Sequence, residues 1–367
     1  MARMDKEEVM KESFNVALVG YGFASQTFHV PLIRATPGLE LTAVSSSDAA
    51  KVRADLPEVA VESSPQALFA RDDIDLVVIP TPNETHYPLA KAALAAGKNV
   101  VVDKPFTITL SEGRQLKSQA ENAGKLLSVF HNRRWDSDFM TVRDLLEAGT
   151  LGRIVHFESH FDRFRPEVRQ RWREQAKPGA GIWYDLGPHL LDQARALFGM
   201  PRAILLDLVQ RRDGAEVDDD FHALLDYGNC RVILHAAALV AAETPRFAIH
   251  GTAGSYVKYG LDPQEDRLKA GETPAPQWGE DPRNGTLTLR DGEEEGAPLV
   301  SREQPTRPGD YLAFYAGIRD ALRGQGGNPV PLDEALAVMQ LIEAGLDSSR
   351  QQRWVRLKEG GLNKLRG

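Results

Sequence analysis

Ten residues, Val16-Ala17-Leu18-Val19-Gly20-Tyr21-Gly22-Phe23-Ala24-Ser25, restrict the fold of this chain more than any other stretch. A short apolar run enters a turn with two glycines one residue apart, and helix-forming sequence follows. Gly20 permits a tight turn, and Gly22 lets a pyrophosphate approach the backbone. The first N–H groups of the helix, at Phe23 and Ala24, then meet the anion. Ser25 stands where a third small residue, usually glycine, brings helix and strand together. Glycines mark turns everywhere, so the pair alone says little. Its place after the first strand of an alternating series is what a dinucleotide fingerprint requires.

That series continues in short apolar runs at 41–44, 76–79, 100–102 and 126–129, with helical stretches at 87–96, 111–123 and 137–147. Ser111 reads as the N-cap of the second of these helices. Continuous apolar strands between amphipathic helices imply a parallel sheet buried on both faces. The reading is an α/β protein with a dinucleotide-binding domain over 13–131, preceded by a flexible leader at 1–12. Beyond about residue 150 longer strands follow in hairpin-like succession, at 154–161, 203–209, 221–226, 231–239 and 246–250. Residues 132–367 therefore read as a substrate-binding and oligomerisation α/β domain with a large, mostly antiparallel open sheet. The Gly-, Pro- and Glu-rich stretch 262–310 reads as an exposed excursion with a short hairpin near 286–289. Helices are expected at 311–322 and 333–349, the second returning to brace the first domain.

Composition removes several function classes. The 44 Lys+Arg against 52 Asp+Glu leave a net charge of −8, which argues against a nucleic-acid surface. One cysteine, Cys230, excludes an internal disulfide framework and a cysteine zinc site. No apolar run reaches the length of a membrane span, and the opening residues lack the apolar core of a signal peptide. A cytoplasmic protein without a membrane partner is expected.

The end of the second strand bears on the choice of dinucleotide. An NAD(H) site usually places Asp or Glu there for the ribose hydroxyls. This chain has Ser45, Ser46 and Ser47, with Ser46 at the acid's place and Lys51 five residues on. Hydroxyls and an ammonium suit a 2′-phosphate, so NADP(H) is favoured and NAD(H) remains possible. If the strand runs two residues further, Asp48 becomes the ribose carboxylate and the preference reverses. Two further loops sit at carboxyl ends of strands, where open α/β sheets bind ligands. One carries Pro80, Thr81, Asn83 and His86, and the other carries Lys104.

The segment Gly181-Ile182-Trp183-Tyr184-Asp185-Leu186-Gly187-Pro188-His189 leads into a helical stretch. Pro188 suits a first helical turn. Asp185 and His189, four apart, share a face if the turn is helical from Asp185. A first-turn histidine feels the positive helix end, which favours the neutral imidazole that a general base needs. Asp185 is equally a normal N-cap residue. Arg133, Arg134, Arg163, Arg165, Arg169 and Arg171 read mainly as surface ion pairs, with an anionic substrate as the sharper alternative. Trp172 and Trp183 are candidates to stack on a sugar ring, although packing is the commoner use of a tryptophan. His156, Glu158 and His160 alternate along one strand, but no further ligand follows at a convincing spacing. A polar sheet face or subunit interface is the preferred reading there, and no metal is assigned.

The glycine turn at 20–25, Asp103-Lys104-Pro105 and Asp185-Leu186-Gly187-Pro188-His189 together resemble the Gfo/Idh/MocA oxidoreductase family, over nearly the whole chain. The blocks at 131–139 and 158–174 resemble its NADP-dependent scyllo-inositol dehydrogenase-like branch. Asp103 departs from the family's usual Glu, and Ala180 from a frequent glycine. The resemblance implies a Rossmann domain paired with an open-sheet domain, and a homodimer or homotetramer. It also implies that Lys104 hydrogen-bonds the reacting oxygen, His189 exchanges the hydroxyl proton, and Asp185 binds substrate and orients His189. Arg133, Arg163, Trp172 and Tyr184 are further substrate-binding candidates. The implied reaction is NADP(H)-dependent hydride transfer to or from a secondary alcohol or ketone of a cyclic polyol or sugar, scyllo-inositol/inosose among them. The alternatives are an enzyme acting on another sugar or carbonyl compound and a non-catalytic dinucleotide-dependent regulator. The regulator should have lost Lys104 or His189, and both are present.

Overall fold

A computed structural model describes residues 11–275, 277–292, 294 and 296–357. Most of the expected leader, residues 1–10, lies outside the described residues, as do 358–367. The first sheet contains β1 (Phe14–Val19), β2 (Leu39–Ser45), β3 (Ala60–Glu62), β4 (Leu76–Ile79), β5 (Asn99–Val102) and β6 (Leu127–Val129). All its pairings are parallel, in the order β3-β2-β1-β4-β5-β6. Strand order reverses between β1 and β4, which opens a crevice at their carboxyl ends. Val16, Leu18, Val77, Val78, Val100 and Val101 are wholly buried, as two-sided coverage demands of a parallel sheet. The helices α1 (Val30–Arg34), α2 (Ala49–Asp55), α3 (Pro65–Phe69), α4 (Asn83–Ala95) and α5 (Leu110–Ala123) make the connections. Thr109, not Ser111, caps α5: its hydroxyl accepts from Glu112 N while the Glu112 carboxylate accepts from Thr109 N. This reciprocal capping box fixes the cap two residues before the expected one.

The second sheet follows α6 (Ser137–Glu147). It comprises β7 (Ile154–His160), β8 (Ala203–Val209), β9 (Asp220–Asp226), β10 (Arg231–Ala237), β11 (Pro245–Gly251), β12 (Gly254–Tyr259), β13 (Gly285–Arg290), β14 (Leu299–Gln304) and β15 (Val355–Arg356). Its order is β14-β13-β12-β11-β7-β10-β9-β8-β15, and only β7 and β10 pair in parallel. Three more helices complete the described chain beside α7 (Ile182–Phe198): α8 (Gln264–Lys269), α9 (Leu312–Leu322) and α10 (Leu332–Gln351). The stretch at 262–310 is thus not simply an exposed excursion. Asp262, Gln264, Trp278 and Asp281 are buried, and β13 and β14 form a hairpin at the sheet edge.

Helices α7 and α10 cover one face of this sheet. Trp183 is the pin between them. It is fully buried, lies edge-on to Phe221 with ring centroids 4.9 Å apart, and donates its indole N–H to Ile342 O at 3.2 Å. A Cβ at Gly345 would lie 2.6 Å from its ring, so α10 approaches the indole only because glycine stands there. Trp183 therefore packs, and does not stack on a ligand. Helix α10 also meets the first domain, where Glu343 accepts from Leu110 N at 2.7 Å. Emptying the Trp183 site leaves a large cavity, so Trp183→Ala is expected to lower stability by about 3–5 kcal/mol. Urea unfolding measures this, and an unchanged midpoint would show that Trp183 does not hold α7 to α10.

Candidate active site

Gly20 leaves β1 with φ of +87°, a conformation that costs residues with a Cβ. A Cβ at Gly20 would lie 3.4 Å from Cγ2 of Thr81, whereas one at Gly22 would meet nothing within 4 Å. The space over Gly22 is open at the start of a helix, the arrangement that a pyrophosphate fills. Ser25 Oγ donates to Gly20 O at 2.9 Å and ties the helix to the turn. The next residues form a π-helical turn, Ser25–His29, that runs into α1.

Strand β2 ends at Ser45, whose side chain is buried and whose carbonyl accepts from Gly20 N at 2.8 Å. Ser46 follows it, half-buried, and Ser47 is exposed. Asp48 is three residues past the strand and caps α2, accepting from Lys51 N at 3.0 Å. The Lys51 ammonium lies 5.8 Å from the Tyr21 ring centroid, beside the glycine turn. The residues at both ends of this groove fit a dinucleotide.

The loop after β4 departs from expectation. His86 is fully enclosed, and its ring nitrogens face Pro105 O and Thr81 O, each at 2.8 Å. Asn83 is buried and donates to Gly179 O at 2.8 Å. Both residues brace neighbouring loops and do not face a ligand, while Pro80 and Thr81 stay half-buried at the strand end.

The chemical groups converge from two domains. Lys104 leaves β5 and donates through Nζ to Asp185 O at 2.6 Å and Asp185 Oδ1 at 3.0 Å. Asp185 is free for this contact because another acid caps α7. Asp218 accepts from Ile182 N through its carbonyl at 2.9 Å and from Trp183 N through Oδ2 at 2.7 Å. The cap position, Gly181, has φ of +92°, and a Cβ there would lie 2.1 Å from Asp218. Since α7 begins at Ile182, Pro188 lies in its interior and His189 in its second turn, not in the first as expected. The first-turn dipole argument therefore does not account for His189's neutrality.

His189 is only 6% exposed, and its Nδ1 has no hydrogen-bond partner. Burial, then the positive charges of Lys104 and Arg133, hold its pKa well below the ordinary 6.5. Burial likewise lowers Lys104, with Arg173 adding to it and Asp185 opposing. For Asp185, burial acts upward, but Lys104, Arg173 and Arg163 outweigh it and hold the carboxylate well below the usual range. The result is a charged pair beside a neutral imidazole.

A cleft of about 510 Å³ is lined by Phe23 and Ala24 from the glycine turn, by Lys104, and by Asp185 and His189 from α7. Arg133, Arg163 and Trp172 also line it. Arg133 is held by Glu265 and, at 3.4 Å, by Asp136. Arg163 lies 4.0 Å from Asp185 Oδ2, and burial lowers it to about 10. Tyr184 does not join them: its hydroxyl donates to Ile108 O at 3.2 Å, outside the cleft. Arg134 is also elsewhere, buried against Asp192 at 2.6 Å and Glu334 at 2.7 Å. Arg165, Arg169 and Arg171 reach the cleft rather than standing apart as surface pairs. Arg171 pairs with Glu174 at 2.7 Å, while neither Arg165 nor Arg169 has an ion-pair partner among the described residues. Sequence reasoning missed Phe28, Phe130, Asn132, Glu265 and Lys269. The last two lie on α8, inside the stretch read as an excursion, and the run QEDRLK was their one helical signal.

Residues 14–131 match the oxidoreductase family's NAD-binding Rossmann fold, and residues 143–357 match its C-terminal alpha/beta domain. The chain is 59% identical over 344 residues to the uncharacterized oxidoreductase YdgJ of Escherichia coli, spanning 94% of this chain and 98% of that one. It is 38% identical over 350 residues to the scyllo-inositol 2-dehydrogenase (NADP(+)) IolW of Bacillus subtilis, spanning 95% and 97%. The solved structure of the YPO2259 protein of Yersinia pestis superposes with a TM-score of 0.91 at 57% identity, covering 96% and 99% of the two chains. The two matches together span the glycine turn and the cleft that holds Lys104 and His189. This chain belongs to the Gfo/Idh/MocA oxidoreductase family and is an oxidoreductase built on a nicotinamide-binding Rossmann domain.

Proposed function

We propose that this protein is an NADP(H)-dependent dehydrogenase or reductase that interconverts a secondary alcohol and a ketone on a cyclic polyol or sugar. The observation that carries the reading is the junction of Lys104, Asp185 and His189 in one cleft beside the glycine turn. The name of IolW supports the polyol class. Ser46 at the end of β2, with Asp48 occupied as a helix cap, supports NADP(H) over NAD(H). The open face of the second sheet supports a homodimer or homotetramer.

The nicotinamide, when bound, supplies the two-electron hydride chemistry. Lys104 offers a donor to the reacting oxygen and stabilises the negative charge that develops there. Asp185 accepts from Lys104 Nζ and so aims the ammonium. Its second oxygen is placed for a substrate hydroxyl. In oxidation neutral His189 accepts the hydroxyl proton, and in reduction the imidazolium returns it.

A second reading has its own observation. Arg165 and Arg169 line the cleft without an ion-pair partner among the described residues, and burial and then the charges of Arg169 and Arg171 disfavour Arg165's cation. A carbonyl compound bearing a phosphate or carboxylate would supply the missing anion. A rate screen with NADP(+) and NAD(+) against scyllo-inositol, myo-inositol, common aldoses and their phosphates separates the two. Turnover confined to the phosphates selects the second reading, and no turnover on any ring alcohol removes the first.

His189→Ala is expected to lower kcat by about 10²–10⁴-fold while nucleotide affinity, read by fluorescence titration, stays within error. Near wild-type turnover would remove His189 from proton transfer. Ser46→Asp is expected to weaken NADP(H) and shift preference toward NAD(H), and an unchanged ratio of kcat/KM values would contradict the Ser46 reading. The pH profile follows from sign. The imidazolium is disfavoured in the folded protein, so His189 stays neutral as pH falls through its ordinary value of 6.5. In alcohol oxidation the acid limb of kcat/KM due to His189 is therefore expected below pH 6.5, and a limb at or above it would count against this assignment.

A further inference from the structure

The outward face of the second sheet carries a row of histidines that the redox site does not use. His160 of β7 is the register partner of His235 of β10, and His235 is the partner of His222 of β9. Asp162 follows two residues after β7 and turns toward the first pair. His160 Nδ1 lies 3.3 Å from Asp162 Oδ2, and His235 Nδ1 lies 2.8 Å from Asp162 Oδ1. All three of His160 Nδ1, Asp162 Oδ1 and His235 Nδ1 are enclosed, yet none has a hydrogen-bond partner. They are near enough to bond one another but are not aimed to do so. Three shielded polar atoms left without partners carry a desolvation cost. A single cation between them removes it.

The surrounding groups are those that hold ligands in place. Glu158 Oε2 lies 3.1 Å from His160 Nε2; with the imidazole proton held there, Nδ1 offers its lone pair to a cation. Thr244 Oγ1 donates to Asp162 Oδ2 at 2.7 Å and fixes the carboxylate. The residues His160, Asp162 and His235 place one ligand atom each within 4.8 Å of the others. Tetrahedral zinc with bonds of about 2.0–2.1 Å sets its ligand atoms about 3.3 Å apart; the His160–Asp162 separation matches this at 3.3 Å, and the His235–Asp162 separation is shorter at 2.8 Å. A cavity of about 130 Å³ opens beside His160 and Asp162, with room for water in the remaining coordination position.

We propose that His160, Asp162 and His235 form a binding site for one divalent transition-metal ion, zinc being the best match to two imidazoles and a carboxylate. The site lies outside the cleft and uses none of the residues assigned to the redox reaction. The fold assembles it, since the two histidines are adjacent only because β7 and β10 pair in parallel.

The test uses the full chain without a polyhistidine tag, stripped with EDTA and dialysed. Equilibrium dialysis against zinc chloride, read by elemental analysis, is expected to give one tight zinc per chain. Cobalt(II) should bind at the same stoichiometry with the visible absorption of a tetrahedral site. His235→Ala and Asp162→Asn are expected to abolish that equivalent. Glu158→Gln should weaken it by about 10–100-fold. Two controls keep the outcome decisive. His250→Ala, on the same face, should leave binding unchanged, and each variant's circular dichroism should match the parent's. Zinc retained in both His235→Ala and Asp162→Asn, or no stoichiometric zinc in the parent chain, overturns the proposal.

Discussion

The contact between Lys104 and Asp185 joins the two domains at the point where the chemistry is placed. Lys104 projects from the carboxyl end of a parallel strand, and Asp185 sits in the first turn of a helix from the other domain. Their pairing at 3.0 Å lies in a largely enclosed setting, where desolvation consumes much of what attraction returns. The pair is therefore a weak source of stability, and its value lies in position. Arg163 and Arg173 also approach Asp185, at 4.0 and 3.7 Å. One carboxylate thus faces three cations, and the local field is positive. Such a field resists protonation of His189 and favours an oxygen gaining negative charge.

Everything around this contact keeps its two elements in register. Asp218 caps α7 and so releases Asp185 from the capping role its sequence position suggests. Trp183 anchors the same helix turn from the opposite side, against α10. Arg134 ties the segment after β6 to Asp192 of α7 and Glu334 of α10. A shift of α7 by one residue would break all three at once, which makes the geometry of Asp185 and His189 hard to deform.

The parallel strands were legible because each combines a continuous apolar run with a turn signal, and β1 in particular announced itself through Gly20 and Gly22. Lys104 and His189 could be placed for the same reason, since each directly follows or enters a well-marked element. The errors share a different cause. Thr109 displaced Ser111 as a cap, and Asp218 displaced Asp185, because a cap is chosen by geometry among several competent side chains. His86 and Tyr184 looked available and were taken by backbone carbonyls at Pro105, Thr81 and Ile108. Helix α8 hid within glycine- and proline-rich sequence because six residues carry too little periodicity to identify. The join between His160 and His235 depends on a strand pairing across 75 residues, which no local pattern encodes.

The second sheet gives its two faces to different tasks by strand alternation alone. On β7 the inward Phe157 meets Phe198 of α7 with centroids 5.2 Å apart, and Ser159 accepts from Arg246. His156, Glu158 and His160 point the other way. Where β7 ends, the alternation passes into the active-site segment. Asp162 turns to the histidine row, and the next residue, Arg163, reaches toward Asp185. The arginine-bearing stretch from Arg163 to Arg173 thus begins one peptide unit from the proposed metal ligands. A cation held by Asp162 would pin the root of that stretch, reducing the conformational freedom its cationic side chains lose on meeting a substrate. Any effect of such an ion on the cleft would pass through this chain geometry alone, since none of the outward histidines lines the cleft.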